Sequence, residues 1–336
     1  MPEPLRYAIL GGLREDYFIT PAGETHLGVL GGNAVYAAVG ARIWAESVGI
    51  VSRVGSNYPA EWLARLEKAG MDVHNVKVLP EPQDTRTFYA YLSLEERDDT
   101  DPPAHFARIG RPTPRELVDY ESSTTGQESR AEFQPLAVRP GDLAEAAQGA
   151  RGFHLAPADF LTHHTVPVAV RRSSQPVVTV DPSIRYMQPG FKDDLRRIVS
   201  GLEAFMPSEV EVRAYFRDER PGLWEAAAAL GAMGAKFVVI KLGSRGQYLY
   251  ESATGRKWHV PAYPATVRDV TGAGDAYCGG FVVGLTETGD PVEAALRGAI
   301  SASIVIEGVG ALYGLGSTPG LAEARLRSLR EAVRRV

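Results

Sequence analysis

Residues 268–281 read RDVTGAGDAYCGGF. Four glycines, Gly272, Gly274, Gly279 and Gly280, surround one carboxylate, Asp275, and the stretch runs straight into an apolar segment. A helix beginning near Gly272 would offer several free backbone N–H groups in its first turn, where its dipole also concentrates partial positive charge. Glycine lets a phosphate or a developing oxyanion approach those amides closely. Gly272, Ala273 and Gly274 therefore form a candidate anion hole. Asp275 beside it can accept a proton from a hydroxyl as that oxygen attacks phosphorus. The same text also fits packing glycines with an Asp that only favours the dipole, and spacing alone leaves both readings open.

Outward from this stretch, short apolar runs alternate with helical patterns. RYAIL (6–10) ends at Gly11-Gly12 as a first buried strand, and NAVYAAVGARIWA (33–45) follows as a helix of small residues. SVGIVSRVG (47–55) is strand-like; PAEWLARLEKAG (59–70) is a helix with Pro at its start and Gly at its end. VVTVDPS (177–183) and KFVVIKLG (236–243) are continuous apolar runs, as expected of strands buried on both faces of a parallel sheet. Helical patterns at 209–216, 223–234 and 291–308 fill the intervals. This alternation predicts an α/β fold with a mostly parallel central sheet.

Two regions depart from the pattern. DYFIT (16–20) and TRTFYAYLS (85–93) alternate as half-exposed antiparallel strands would, which predicts a small β layer beside the main sheet. Residues 95–142 are rich in Pro, Ser, Thr and charge, and are expected to be an extended excursion outside the core.

A chain of 336 residues can bury a substantial core as one large domain or two small ones. A net charge of -5 with no basic tail argues against nucleic acid as a partner, because phosphate binding needs a concentrated basic face. The single cysteine, Cys278, excludes an intrachain disulfide and fits a reducing compartment. The start, MPEPLRYAILGG, does not read as a signal peptide. The most apolar late segment, 295–316, carries Arg297, Glu307 and five glycines, which suits a core helix and loop better than a membrane span. A cytoplasmic protein is expected.

DVTGAGDAYCGGF resembles the C-terminal signature of the PfkB, or ribokinase, family of carbohydrate kinases. The resemblance covers Asp269, the Gly272-Ala273-Gly274-Asp275 core and Gly279-Gly280-Phe281, with Val270 where Thr is more usual. It extends to KLGSRGQYLY (241–250), to VGSNYPAEWLARLEKAGMDV (54–73) and to Asp181-Pro182. It implies a single three-layer ribokinase-like sandwich over 1–336, with a small β lid from 15–30 and 74–93 and a family-atypical insertion at 95–142. It also implies transfer of a phosphoryl group from ATP, with Mg2+, to a hydroxyl of a sugar or nucleoside. Asp275 would be the base and Gly272, Ala273 and Gly274 the anion hole. Lys241, Gly243, Ser244, Gly246 and Thr271 would hold the nucleotide, although Lys241 also reads as a strand-end lysine reaching solvent. Asp16, Gly32, Asn33 and Tyr36 would meet the acceptor. Its partners are that small acceptor and, as an open option, a second copy of the chain; nucleic acid and membrane are not among them.

The departures concern the acceptor and the metal. The N-terminal signature reads Gly31-Gly32-Asn33-Ala34-Val35-Tyr36, so an aromatic ring stands where the family has Asn. Tyr36 is either a packed helix residue or a ring that reshapes the pocket. The motif linked to magnesium appears as Ser208-Glu209-Val210-Glu211, with Ser in place of Asn. Glu211 is the expected metal-side residue and Glu209 a solvated neighbour, with the ion held mostly through water and phosphate. The pair His163-His164 lacks companions and is not expected to bind metal. The alternative to an enzyme is a non-catalytic homologue that binds a small ligand and acts through a protein partner. A dinucleotide oxidoreductase would need Gly-x-Gly-x-x-Gly after the first strand, where the chain has only Gly11-Gly12-Leu13-Arg14.

Overall fold

The structure, a computed structural model, describes residues 5–143, 149–173 and 175–336. In chain order it comprises β1 (Tyr7–Leu10), β2 (Arg14–Ile19), β3 (Thr25–Gly31), α1 (Asn33–Arg42), β4 (Val48–Val54), α2 (Ala60–Lys68), β5 (Met71–Asp72) and β6 (Val76–Val78). There follow β7 (Arg86–Tyr91), β8 (Arg97–Asp98), α3 (Pro102–Arg108), β9 (Gly152–Leu155), α4 (Phe160–Ser173), β10 (Val177–Val180), α5 (Lys192–Val199) and β11 (Ala204–Phe205). The last third holds α6 (Glu209–Tyr215), α7 (Leu223–Gly231), β12 (Phe237–Lys241), β13 (Gln247–Glu251), β14 (Lys257–Val260), α8 (Ala273–Thr288), α9 (Pro291–Val305), α10 (Leu321–Arg330) and β15 (Arg334–Arg335).

The large sheet has the order β15-β14-β13-β12-β11-β10-β9-β1-β4-β5, with β6 also on β4. From β12 to β5 every pairing is parallel, and β13 to β15 extend one edge antiparallel. Strands β1, β4 and β9 are buried along their whole length, as continuous apolar runs must be when helices cover both faces. Alternate residues of β1 go to opposite sides. Tyr7 and Ile9 pack with α1 and α2, while Ala8 and Leu10 pack with α4 to α7. Helices α8, α9 and α10 complete the first side. The result is the three-layer α/β sandwich with a mostly parallel sheet. Among the described residues, no helix is long and apolar enough to cross a membrane.

A second, four-stranded sheet has the order β3-β2-β7-β8. Its strands differ from the expectation in two ways. Strands β2 and β7 pair with each other in parallel, each finding an antiparallel partner on its other side. Neither is half-exposed. Tyr17, Ile19, Phe88 and Ala90 pack against Phe106 and Leu117, and the opposite face, with Asp16, Thr87, Tyr89 and Tyr91, walls a cavity. The sheet's bounds also shift from 15–30 and 74–93, because Val76–Val78 pairs with β4 in the large sheet while Arg97–Asp98 joins the small one.

Residues 95–142 are likewise not an excursion outside the core. Phe106 and Leu117 cover the small sheet, Val138 enters the main core, and Asp142 forms a bidentate ion pair with the nearly buried Arg53. Polar composition misled because the segment contributes a few widely spaced apolar anchors rather than a periodic face.

Candidate active site

Helix α8 begins at Ala273 behind Gly272, whose φ of 72° lies in the left-handed region. A Cβ there would overlap the Tyr36 ring, so glycine is required both for the turn and for the ring's position. Helices α1 and α8 touch through Gly40 and Gly279, each lying against a carbonyl of the other helix (Ala276 and Ala37) where no Cβ would fit. This close crossing sets the start of α1, with Gly32 and Asn33, beside the start of α8.

One cavity of about 1340 Å³ collects the residues singled out from the sequence. Its wall includes Asp16, Gly32, Asn33, Tyr36, Glu211, Lys241, Gly243, Ser244, Gly246, Thr271, Gly272, Ala273, Gly274 and Asp275. Asp275 is partly open to the cavity. Burial, then the negative charge of Asp181, pushes its carboxyl up to about 7, against the opposing Lys241 and Arg97. Of the three expected anion-hole amides, that of Ala273 donates to the Val270 carbonyl at 3.2 Å. Among the described residues the N–H groups of Gly272, Gly274 and Asp275 itself have no such partner.

At the end of the cavity expected to meet the acceptor, burial raises the Asp16 carboxyl to about 6. It accepts hydrogen bonds from Thr87 Oγ1 and, at 3.3 Å, from Gly32 N–H. Asn33 is partly committed to the frame: its Oδ1 accepts from Gly12 N–H at 2.8 Å and its Nδ2 donates to the Pro157 carbonyl at 2.7 Å. The Tyr36 ring is 2% exposed within the core, yet it borders the cavity, and among the described residues its Oη has no hydrogen-bond partner.

Lys241 is not a strand-end lysine extended into bulk solvent: its side chain is 15% exposed, at the cavity wall. It is ion-paired with the buried Asp181, and its Nζ lies 3.8 Å from Cys278 Sγ. Burial disfavours its charge, but Asp181 outweighs this and keeps the ammonium protonated. A Cβ at Gly274 would be 3.6 Å from Lys241 Nζ, so the ammonium lies alongside the first turn of α8. Gly243 and Gly246, at φ of 59° and 84°, shape the turn after β12, and Ser244 Oγ donates to Glu95 at 2.6 Å. Thr271 Oγ1 donates to Tyr91 Oη at 2.9 Å, tying the start of α8 to the small sheet.

Glu211 and Ser208 form a capping box at the start of α6, in which Glu211 Oε2 accepts from Ser208 N–H at 2.7 Å and from its hydroxyl at 2.9 Å. Ser thus replaces Asn without leaving the helix end unsatisfied. Burial and Asp181 push Glu211 up to about 7. Glu209 is not simply solvated, since it pairs with Arg213 and Arg245. His163 is buried, with Nδ1 against Tyr186 Oη and Nε2 at 3.0 Å from the Ala156 carbonyl. Among the described residues no cluster of three His, Cys, Asp or Glu could hold a metal ion.

The cavity wall adds Arg97, Tyr89, Tyr91 and Asp159 to the residues read from the sequence, and Asp181 stands directly behind Lys241. Asp181 was visible as the Asp-Pro closing a strand. Arg97 and the two tyrosines carried no local signal, because a strand of the small sheet and a polar hairpin bring them here.

Fold and site together define an α/β protein that sets exposed helix-start amides beside a carboxylate poised near neutrality. Residues 166–316 match the pfkB family of carbohydrate kinases. The chain is 28% identical over 299 residues to a cytidine kinase of Thermococcus kodakarensis, covering 87% of this chain and 92% of that one. A 5-dehydro-2-deoxygluconokinase of Bacillus licheniformis is 42% identical over 83 residues, covering 24% of this chain and 25% of its own. Among solved structures, ribokinase of Arabidopsis thaliana complexed with ribose and ATP aligns with a TM-score of 0.68 at 18% identity, covering 98% of this chain and 99% of that one. Aminoimidazole riboside kinase of Salmonella enterica aligns with a TM-score of 0.65 at 18% identity over 96% and 99%. The matched region 166–316 and these relatives support a kinase of the pfkB carbohydrate and nucleoside kinase kind, a phosphotransferase with an alcohol group as acceptor.

Proposed function

We propose that this protein transfers the γ-phosphoryl group of ATP to a hydroxyl of a nucleoside. The observation that carries the reading is the pairing of uncapped amides at Gly272, Gly274 and Asp275 with a carboxylate held near 7, across a cavity from the buried Asp16. The acceptor hydroxyl attacks the γ-phosphorus, its proton passes to Asp275, and the bond from that phosphorus to the ADP oxygen breaks. Negative charge on the transferring group meets the first-turn amides, with the Lys241 ammonium alongside. Asp16 accepts hydrogen bonds from the acceptor's hydroxyls, and Asn33 holds the neighbouring loop.

Nucleosides are favoured over free sugars by the size of the cavity, by the Tyr36 ring in place of an amide, and by the likeness to a cytidine kinase over most of both chains. The donor set fits magnesium held mainly through water and phosphate. Glu211 offers a carboxylate at the wall, and Asp181 Oδ1 is buried without a hydrogen-bond partner among the described residues. When bound, the ion would neutralise phosphate charge.

The test is ADP formation with ribose, other sugars and a set of nucleosides, with the product identified by mass. Nucleoside monophosphate is the expected product. Ligand binding with no ADP formed from any acceptor would instead support the non-catalytic alternative.

A further inference from the structure

The hairpin joining β7 to β8 crosses the cavity from the acceptor end to the nucleotide loop. At its tip Glu95 accepts a hydrogen bond from Ser244, within the turn Gly243–Gly246. At its base Tyr91 lies opposite Arg97 in the strand register, and Tyr91 Oη accepts from Thr271, the residue before Gly272. Arg97 is thus set next to the turn that carries the free amides. Its guanidinium lies over the Tyr89 ring at 4.6 Å, and both side chains wall the cavity with Asp275.

Of the cationic side chains on the cavity wall, Lys241 is held by Asp181 and Arg86 by Asp84, whereas Arg14 and Arg97 have no carboxylate within ion-pair distance among the described residues; of these two, Arg97 is the one whose strand partner, Tyr91, is tied to Thr271. An arginine kept in a cavity without a carboxylate partner retains its full charge for a ligand. One donor of Arg97 is engaged by the Tyr91 hydroxyl, and stacking on Tyr89 fixes the guanidinium plane without using the others.

We infer that Arg97 is a catalytic residue delivered by the small sheet, donating hydrogen bonds to the phosphoryl group while it moves from ADP to the acceptor oxygen. Arg97 forms and breaks no covalent bond. The hydroxyl proton still goes to Asp275, and ADP still leaves with the electron pair of the broken P–O bond. Its task is to balance charge that spreads over the phosphoryl oxygens, opposite the amides of Gly272 and Gly274. Because the same hairpin touches both Thr271 and Ser244, seating it brings the cation to the reacting group and covers the phosphoryl path in one movement.

The inference rests on the reading that phosphoryl transfer occurs at Asp275, and the experiment separates the two. In Arg97→Ala, kcat should fall by about 10²-fold or more, as for loss of a charge-stabilising arginine, with KM for acceptor and MgATP changed less than about 3-fold. A second readout needs no turnover: binding of ADP with aluminium fluoride, a planar stand-in for the phosphoryl group, against binding of ADP alone. Arg97→Ala should weaken the first by about 30-fold or more and leave the second nearly unchanged. Arg97→Lys, which keeps the charge but not the planar fork, should recover part of both losses and also serves if the alanine variant folds poorly. A raised acceptor KM with unchanged kcat would make Arg97 an acceptor contact and overturn the inference, as would equal aluminium fluoride binding in both proteins. If the native protein turns over no acceptor, the proposed function fails, while the aluminium fluoride comparison still decides the role of Arg97.

Discussion

The Gly272–Asp275 turn and the β7–β8 hairpin line the same cavity, but they reach it by different routes. The turn is local: a left-handed glycine, a helix start and a carboxylate within four residues. The hairpin depends on distant partners. Thr87 meets Asp16 across 71 positions, and Tyr91 meets Thr271 across 180. A local site survives changes elsewhere as long as its helix is packed. A wall assembled from distant strands fails once any supporting segment is lost, since its ordering entropy is offset only by long-range contacts.

The most severe way to break the comparison is to replace 95–142 by a short linker. This removes Phe106, Leu117, Val138 and the partner of Arg53 together. We expect loss of cooperative thermal unfolding rather than a folded core with altered affinity. A sharp melt and native-like circular dichroism in the deletion would show that the second wall is dispensable.

Next in size is Asp275→Asn, which attacks the local wall alone. Turnover should drop by roughly 10²-fold or more while ATP binding and fold persist, as expected for loss of a positioned general base. Near-normal turnover in a folded variant would remove Asp275 from that role.

The pH dependence follows from the same group. Asp275 must be ionised to take a proton, and its carboxyl sits at about 7, so kcat/KM should rise with pH and level off above that value. Stability should run the other way. Burial raises Asp275 and Glu211 to about 7 and Asp16 to about 6, so their contribution is full below the ordinary carboxylate range near 4 and is lost as pH climbs through 6 to 7. Asp275→Asn should therefore raise the melting temperature relative to native more at pH 8 than at pH 5. An acid limb centred near 4 would contradict the burial of this carboxyl.

The smallest effect is expected where the two walls meet the core, at Tyr36. Tyr36→Phe removes a buried hydroxyl that has no partner among the described residues and should change stability by less than about 1 kcal/mol, in the stabilising direction. Tyr36→Asn restores an amide and should move acceptor preference toward ribose by about 10-fold. Relative kcat/KM values for ribose and a nucleoside measure this, and an unchanged ratio would leave Tyr36 as packing only.

Much of the molecule was legible from the chain by itself. Apolar runs bounded by Gly and Pro marked the parallel strands, because burial on both faces requires residues that are apolar throughout. The glycines at 272–274 and 279–280 marked a helix start and a close helix crossing, because only glycine suits a left-handed turn or a backbone contact without a Cβ. Tertiary structure alone decided the rest. It paired β2 with β7 in parallel, turned Tyr89 and Tyr91 inward, tied Lys241 to Asp181, and set Arg97 on the same cavity wall as the start of α8. These are pairings of charge and ring between residues far apart in sequence, and local periodicity carries no record of a partner that only folding brings within reach.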